Sequence, residues 1–127
     1  MSDVRTERNQ KLAERVINGL NSRKMEGFYA QTKEEALKIA LDMIKEGSSI
    51  GWGGSESVSA IGLRDAVCKG HYTVYNRDIC KTPEEKKQTE LQGIGADYFL
   101  CGTNAITEDG ILVNIDGYGN RCAAIIW

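Results

Sequence analysis

Apolar residues recur along this chain with two periods, and the alternation between them predicts its elements. Over residues 3–24, Leu12, Val16, Ile17 and Leu20 fall on one side of a helix whose other positions are filled by Arg, Lys, Glu and Asn. This helix ends near Gly27, and Phe28-Tyr29 reads as a short strand. A second helix opens at Thr32, an N-cap with Glu35 three residues on as its capping-box partner. Ala36, Ile39, Ala40, Met43 and Ile44 form its apolar stripe, and Gly47 stands as its C′ stop. Ser49 to Trp52 is a strand. Ser57 to Lys69 has helical spacing again, through Val58, Ile61, Leu63, Ala66 and Val67, and ends at Gly70.

His71 to Tyr75 reads as a strand from its aromatic and β-branched content. Thr82-Pro83-Glu84-Glu85 then combines an N-cap, a proline at the first helical position and a glutamate at N3, opening a charged helix that stops by Gly93. Asp97 to Cys101 is a buried strand, and Gly102 to Thr107 is the loop that leaves it. Glu108-Asp109-Gly110 is a turn feeding a strand from Ile111 to Ile115, and Gly117 to Asn120 is a glycine turn. Arg121 to Trp127 fits either a short helix or a strand. Helices alternating with strands at this spacing imply an α/β fold, a mostly parallel sheet flanked by helices on both faces. Ligands of such sheets sit at the carboxyl ends of strands. The loops at 51–57 and 102–107 both leave strand ends, so they are expected to border one crevice, joined by the 117–120 turn if its strand runs the right way.

At 127 residues the chain has length for one core and reads as a single domain over 1–127. A formal charge of −2 with interspersed signs argues against a broad nucleic-acid surface, while leaving room for local basic sites. Apolar stretches fall short of a bilayer crossing, and Asp3, Arg5, Glu7 and Arg8 charge the N-terminus where a signal peptide needs an apolar region. These features point to a cytoplasmic protein without a membrane partner. Cys68, Cys80, Cys101 and Cys122 are spaced 12, 21 and 21 apart, with no CxxC and a single histidine, His71. That spacing suits reduced core thiols and no metal site.

The richest chemistry lies in Gly51-Trp52-Gly53-Gly54-Ser55-Glu56-Ser57, where glycines let a ligand approach the main chain between a strand and a helix. It matches neither a P-loop nor a complete dinucleotide fingerprint, and a tight strand-to-helix turn is its plain alternative. Gly53, Gly54 and Ser55 are the ligand candidates here, with Ser57 read as the helix cap. Glu56 is either a carboxylate nucleophile or base, or a solvated first-turn glutamate. Thr103 and Asn104 suit a carboxylate or hydroxyl ligand, or simply an Asx-type turn. Asn114 and Asp116 share one strand face as a polar pocket or a wet edge. Gly119 and Asn120 precede Arg121, which fits either a bidentate carboxylate clamp or an exposed structural pair. Glu108 is a further catalytic candidate beside Glu56 and Asp116.

The run Gly95-Ala96-Asp97-Tyr98-Phe99-Leu100-Cys101-Gly102-Thr103-Asn104-Ala105-Ile106-Thr107, continuing through Glu108-Asp109-Gly110 to Asn114-Ile115-Asp116-Gly117-Tyr118-Gly119-Asn120-Arg121, closely resembles the signature of the LUD-domain family of lactate-utilisation, YkgG-like proteins. Gly51 to Ser57 and Ile61-Gly62-Leu63 also resemble that family's first loop and helix, so the likeness extends over nearly the whole chain. It implies an α/β fold like the isomerase and CoA-transferase group (NagB/RpiA/CoA transferase-like) and a cytoplasmic role in bacterial metabolism. It also implies later strands and helices that would follow Trp127, so the abrupt apolar end, Cys122 to Trp127, is expected to be covered by further structure or by self-association into a homo-oligomer. Cys101 stands where relatives usually carry a hydroxyl or small residue, which makes it a core thiol rather than a nucleophile.

Three functions are compatible with these features. The first is binding of a small anionic metabolite in lactate or organic-acid utilisation, with partner redox proteins such as iron–sulfur proteins; no cofactor is assigned to this chain itself. The second is a non-catalytic assembly or regulatory subunit. The third is an isomerase- or transferase-like enzyme using Glu56, Glu108 or Asp116.

Overall fold

The computed structural model describes residues 3–127. Three parallel strands form its main sheet, with β1 (Ser49–Trp52) in the centre, β2 (Thr73–Val74) on one side and β3 (Tyr98–Leu100) on the other. Alternation along β1 sends Ile50 and Trp52 to one face and Ser49 and Gly51 to the other. On the first face α2 (Lys33–Met43), α3 (Glu56–Ala60) and α4 (Leu63–Lys69) close over the strand, and the buried core consists of Ile44, Ile50, Trp52, Val58, Leu63 and Val67. On the second face lies α5 (Pro83–Ile94). The chain is therefore α/β, a parallel sheet flanked by helices.

Gly51 sets how closely α5 can approach. A Cβ there would come within 2.8 Å of the Gly93 carbonyl oxygen and collide with the Gly93 Cα, so helix and strand meet backbone to backbone. For the same reason α5 does not stop at Gly93 but runs through it to Ile94, Gly93 being a buried contact rather than a terminator. Both expected capping boxes form. Thr32 accepts from the Glu35 N–H at 3.1 Å and Thr82 from the Glu85 N–H at 3.2 Å, while each glutamate reaches back to the amide just before its cap, Gln31 at 2.9 Å and Lys81 at 3.1 Å.

Several expectations are corrected. Phe28 and Tyr29 form no strand. Helix α2 ends at Met43, with Ile44 turned into extended backbone so that its side chain enters the core; Gly47, at φ +84°, serves the next turn, donating to the His71 carbonyl at 2.8 Å. The helical run 57–69 is two helices broken at Gly62, which takes φ +80°. On one straight helix Val58 and Leu63 would stand about 140° apart; the left-handed glycine re-aims the second segment so that both reach the same core.

The strand expected at 111–115 does not join the parallel sheet. β4 (Ala105–Ile106) and β5 (Leu112–Val113) instead pair antiparallel as a separate hairpin around the Glu108–Gly110 turn. Against that turn lies α1 (Val4–Ser22): Gly19 faces the Asp109 carbonyl so closely that a Cβ would overlap it, and the Arg23 guanidinium donates to the same oxygen at 2.8 Å. The last segment is a helix, α6 (Asn120–Ile126). Among the described residues no helix is long and apolar enough to cross a membrane.

Gly51→Ala is expected to lower stability by about 1–3 kcal/mol through forced overpacking, read as a fall in the urea midpoint at unchanged slope. Gly117→Ala, whose Cβ would meet nothing within 4 Å, should stay within about 0.5 kcal/mol of the parent.

Candidate functional site

Because β1 and β3 are parallel neighbours, the loops leaving them emerge side by side. The Gly53 N–H donates to the Leu100 carbonyl at 3.1 Å, and a Cβ on Gly102 would sit 3.0 Å from the Ser55 hydroxyl. A Cβ on Gly53 would lie 3.5 Å from the Phe99 ring and 3.9 Å from the Arg121 Cβ, which brings in the segment after the 117–120 turn. The three glycine-bearing segments thus converge at one end of the sheet.

Within the first loop the helix cap falls on the other serine. Ser55, not Ser57, is the N-cap of α3, its hydroxyl oxygen accepting from the Val58 N–H at 3.2 Å. Arg64, which periodicity leaves on the wet side of α4, organises the loop. Its Nη2 donates to the carbonyls of both Gly53 and Ser55, at 3.1 and 3.2 Å, while Nη1 pairs with Asp78 at 3.3 Å. Asp78 also accepts from the Trp52 indole at 3.0 Å, and the guanidinium lies 5.8 Å from the Trp52 ring centre. In a trans peptide the N–H points opposite to the preceding C=O. Drawing the Gly53 and Ser55 carbonyls toward Arg64 therefore turns the N–H groups of Gly54 and Glu56 away from it. On the loop's other flank, Arg77 comes within 3.6 Å of where a Gly54 Cβ would be and is held by Glu90 at 2.8 Å. No sequence signal marks this group, because its members are joined across 13 and 14 positions by the fold alone.

The second and third segments are locked together by Arg121. Its Nε donates to Asp116 at 2.8 Å and its Nη groups to the carbonyls of Gly102 at 3.1 Å and Ile115 at 3.2 Å, and to the Asn104 side-chain oxygen. The side chain is 13% exposed and that of Asp116 is 7% exposed. Of the expected alternatives, the structural pair is present, with Asp116, but it is nearly buried rather than exposed, and the Arg121 donors are directed to the protein's own oxygens. Asp116 receives the Cys122 N–H at 2.6 Å on its second oxygen, and this bond, more than the Arg121 pairing, holds its carboxyl below the ordinary aspartate range. Thr103 closes the hairpin by donating to the Ala105 and Val113 carbonyls, at 3.2 and 3.0 Å.

The remaining candidates sort by position. The Asn114 side-chain oxygen is buried without a partner among the described residues. Gly119 takes φ +80° to start α6, with Asn120 as its first residue. Glu108 lies apart from the glycine loop at the hairpin tip, where it pairs with Arg15 at 3.1 Å and is 68% exposed. Of the three carboxylate candidates, Glu56 is thus the one on the loop, and it has no partner among the described residues. Burial pushes the Cys101 thiol up, opposed by Arg121, so it stays protonated and suits a core role. No group of three or more His, Cys, Asp or Glu side chains among the described residues is arranged to hold a metal ion.

Arg64→Lys keeps a charge for Asp78 but loses the fork that grips two carbonyls; stability should fall by about 1.5–3 kcal/mol, and Trp52 emission should change in a Trp127→Phe background. For Asp116 the depressed folded pKa means its contribution is complete above the unfolded value of about 3.9 and is lost as pH falls through the folded one. Asp116→Asn should accordingly be less stable than the parent at pH 6, with the gap narrowing at pH 3 in urea titrations.

Neither a curated protein nor a solved structure matches the chain with significance. A family model does: the one described as LUD domain matches residues 13–127, nearly the whole chain and all three converging segments. The chain belongs to the LUD-domain family.

Proposed function

We propose that this LUD-domain chain binds a small monoanionic hydroxy acid of the lactate type at the Gly53–Ser55 loop, and serves lactate or organic-acid utilisation beside redox partner proteins. The observation that carries the reading is Arg64's grip on two loop carbonyls, which presents the Gly54 and Glu56 N–H groups to a ligand.

Charge balance selects the ligand's size. The two arginines flanking the loop are matched by Asp78 and Glu90, so the site attracts through oriented dipoles rather than net charge. That suits one carboxylate better than a polyphosphate. The Ser55 hydroxyl, which accepts from Val58, keeps its proton to donate to a ligand hydroxyl. On the second converging segment, the Asn104 NH2 has no partner among the described residues, its oxygen being taken by the Ile115 N–H and Arg121. Oxidation of a hydroxy acid needs an electron acceptor, and iron–sulfur or other redox proteins in the cytoplasm would supply it. Self-association belongs to the same reading, because the hairpin presents Ile106, Ile111 and Ile115 to solvent.

Titrating 15N-labelled protein with L-lactate should shift the amide signals of Gly54, Ser55 and Glu56 saturably, with a dissociation constant on the order of 1 mM. Gly54→Val, whose Cβ meets only the Arg77 terminus at 3.6 Å, should keep the fold and lose the response. A folded parent protein without saturable shifts would overturn the proposal.

A further inference from the structure

A groove of about 810 Å³ runs between α5 and the turn into α6; no residue of the Gly51–Ser57 loop lines it, and Glu90 in its wall pairs with Arg77. We propose that it is a second ligand site, independent of the loop, and that it takes a nucleoside diphosphate. Its volume is that of a small-molecule site. Its charge differs in kind from that of the loop. Lys81, Lys86 and Lys87 line it, and none of them is in an ion pair among the described residues. The one carboxylate in the lining, Glu90, is already bound to Arg77 at 2.8 Å. Three uncompensated cations beside a shared concavity attract a polyanion, and a diphosphate monoester, at roughly three negative charges, matches them.

Beyond Thr82 and Asn120, the rest of the lining is largely apolar and offers a surface for a flat ring. Pro83, Leu91 and Ile94 contribute from α5, where positions 83, 87, 91 and 94 share one helical face. Ala123 faces them from α6, and Tyr118 stands at the mouth 95% exposed, its ring free to stack. Inorganic phosphate would use the lysines and leave the apolar floor wet, and a free nucleoside would do the reverse. A base joined through its sugar to two phosphates uses both.

The test is titration of the 15N-labelled chain with ADP, with inorganic phosphate and adenosine as separate arms. ADP should bind saturably, shifting signals of residues 81–94 and 118–123, and at least about tenfold more tightly than either fragment. Lys86→Glu with Lys87→Glu, both exposed, should weaken ADP by about a hundredfold at about tenfold per charge-assisted contact, with circular dichroism unchanged. Tyr118→Ala should weaken ADP without affecting phosphate, and Gly54→Val should leave ADP binding intact even though it abolishes the lactate response. No saturable ADP binding, shifts confined to Gly54–Glu56, or an unchanged affinity in the lysine variant would overturn the proposal.

Discussion

The contact between Gly51 and Gly93 governs the rest of the molecule, because it is where a twelve-residue helix rests on the central strand without any side chain between them. With α5 held at that distance, Glu90 reaches Arg77 across the end of the sheet, and Arg77 in turn closes one flank of the glycine loop. The opposite surface of α5 becomes one wall of the lysine-rimmed groove, with α6 as the other. A methyl group at residue 51 would push the helix outward, and the loop and the groove would both lose a wall. The glycine therefore acts through space it leaves empty, not through turn geometry.

The elements with strong local signals were legible in the sequence. Thr32–Glu35 and Thr82–Glu85 placed two helix starts because a capping box is a short-range device, complete within four residues. The parallel sheet followed from the alternation of helices and strands, and the convergence of the 51–57 and 102–107 loops followed from the sheet being parallel. What the sequence concealed is long-range. Ser55 and Ser57 are both adequate caps, and only the turn of the chain after β1 selects the first. The hairpin at 105–113 carries strand-like residues that pattern alone assigns to the main sheet; Thr103 and Asn104 fold it back on itself through bonds to Val113 and the Ile115 N–H. Arg64 was invisible for the same reason, since its partners are two carbonyls and a carboxylate 14 residues away.

Arg121 shows why residue type does not by itself identify a ligand clamp. An arginine after a glycine turn offers a fork that fits a carboxylate, and here it does bind one, but the carboxylate is Asp116. A nearly buried guanidinium must be compensated from within, and the Gly102 and Ile115 carbonyls complete its shell. The consequence is structural: one side chain fastens the exit of β3, the end of the hairpin and the start of α6, so the second and third glycine segments cannot move independently. A ligand seated at the first loop would meet a wall already rigid.

If both proposals hold, the two arginines at the glycine loop and the three lysines along the groove would divide anion recognition by physical principle. At the loop Arg64 and Arg77 are each answered by a carboxylate, so recognition there would fall to main-chain dipoles whose direction Arg64 sets; a site of that kind discriminates by geometry and stays weak for small ligands. In the groove the lysines have no ion pair among the described residues and are exposed, so attraction there would be longer-ranged and salt-sensitive, while shape would come from the apolar floor. The Arg77–Glu90 pair links the two regions, Arg77 standing beside the loop and Glu90 in the lining of the groove, so a change that breaks this pair would be felt at both.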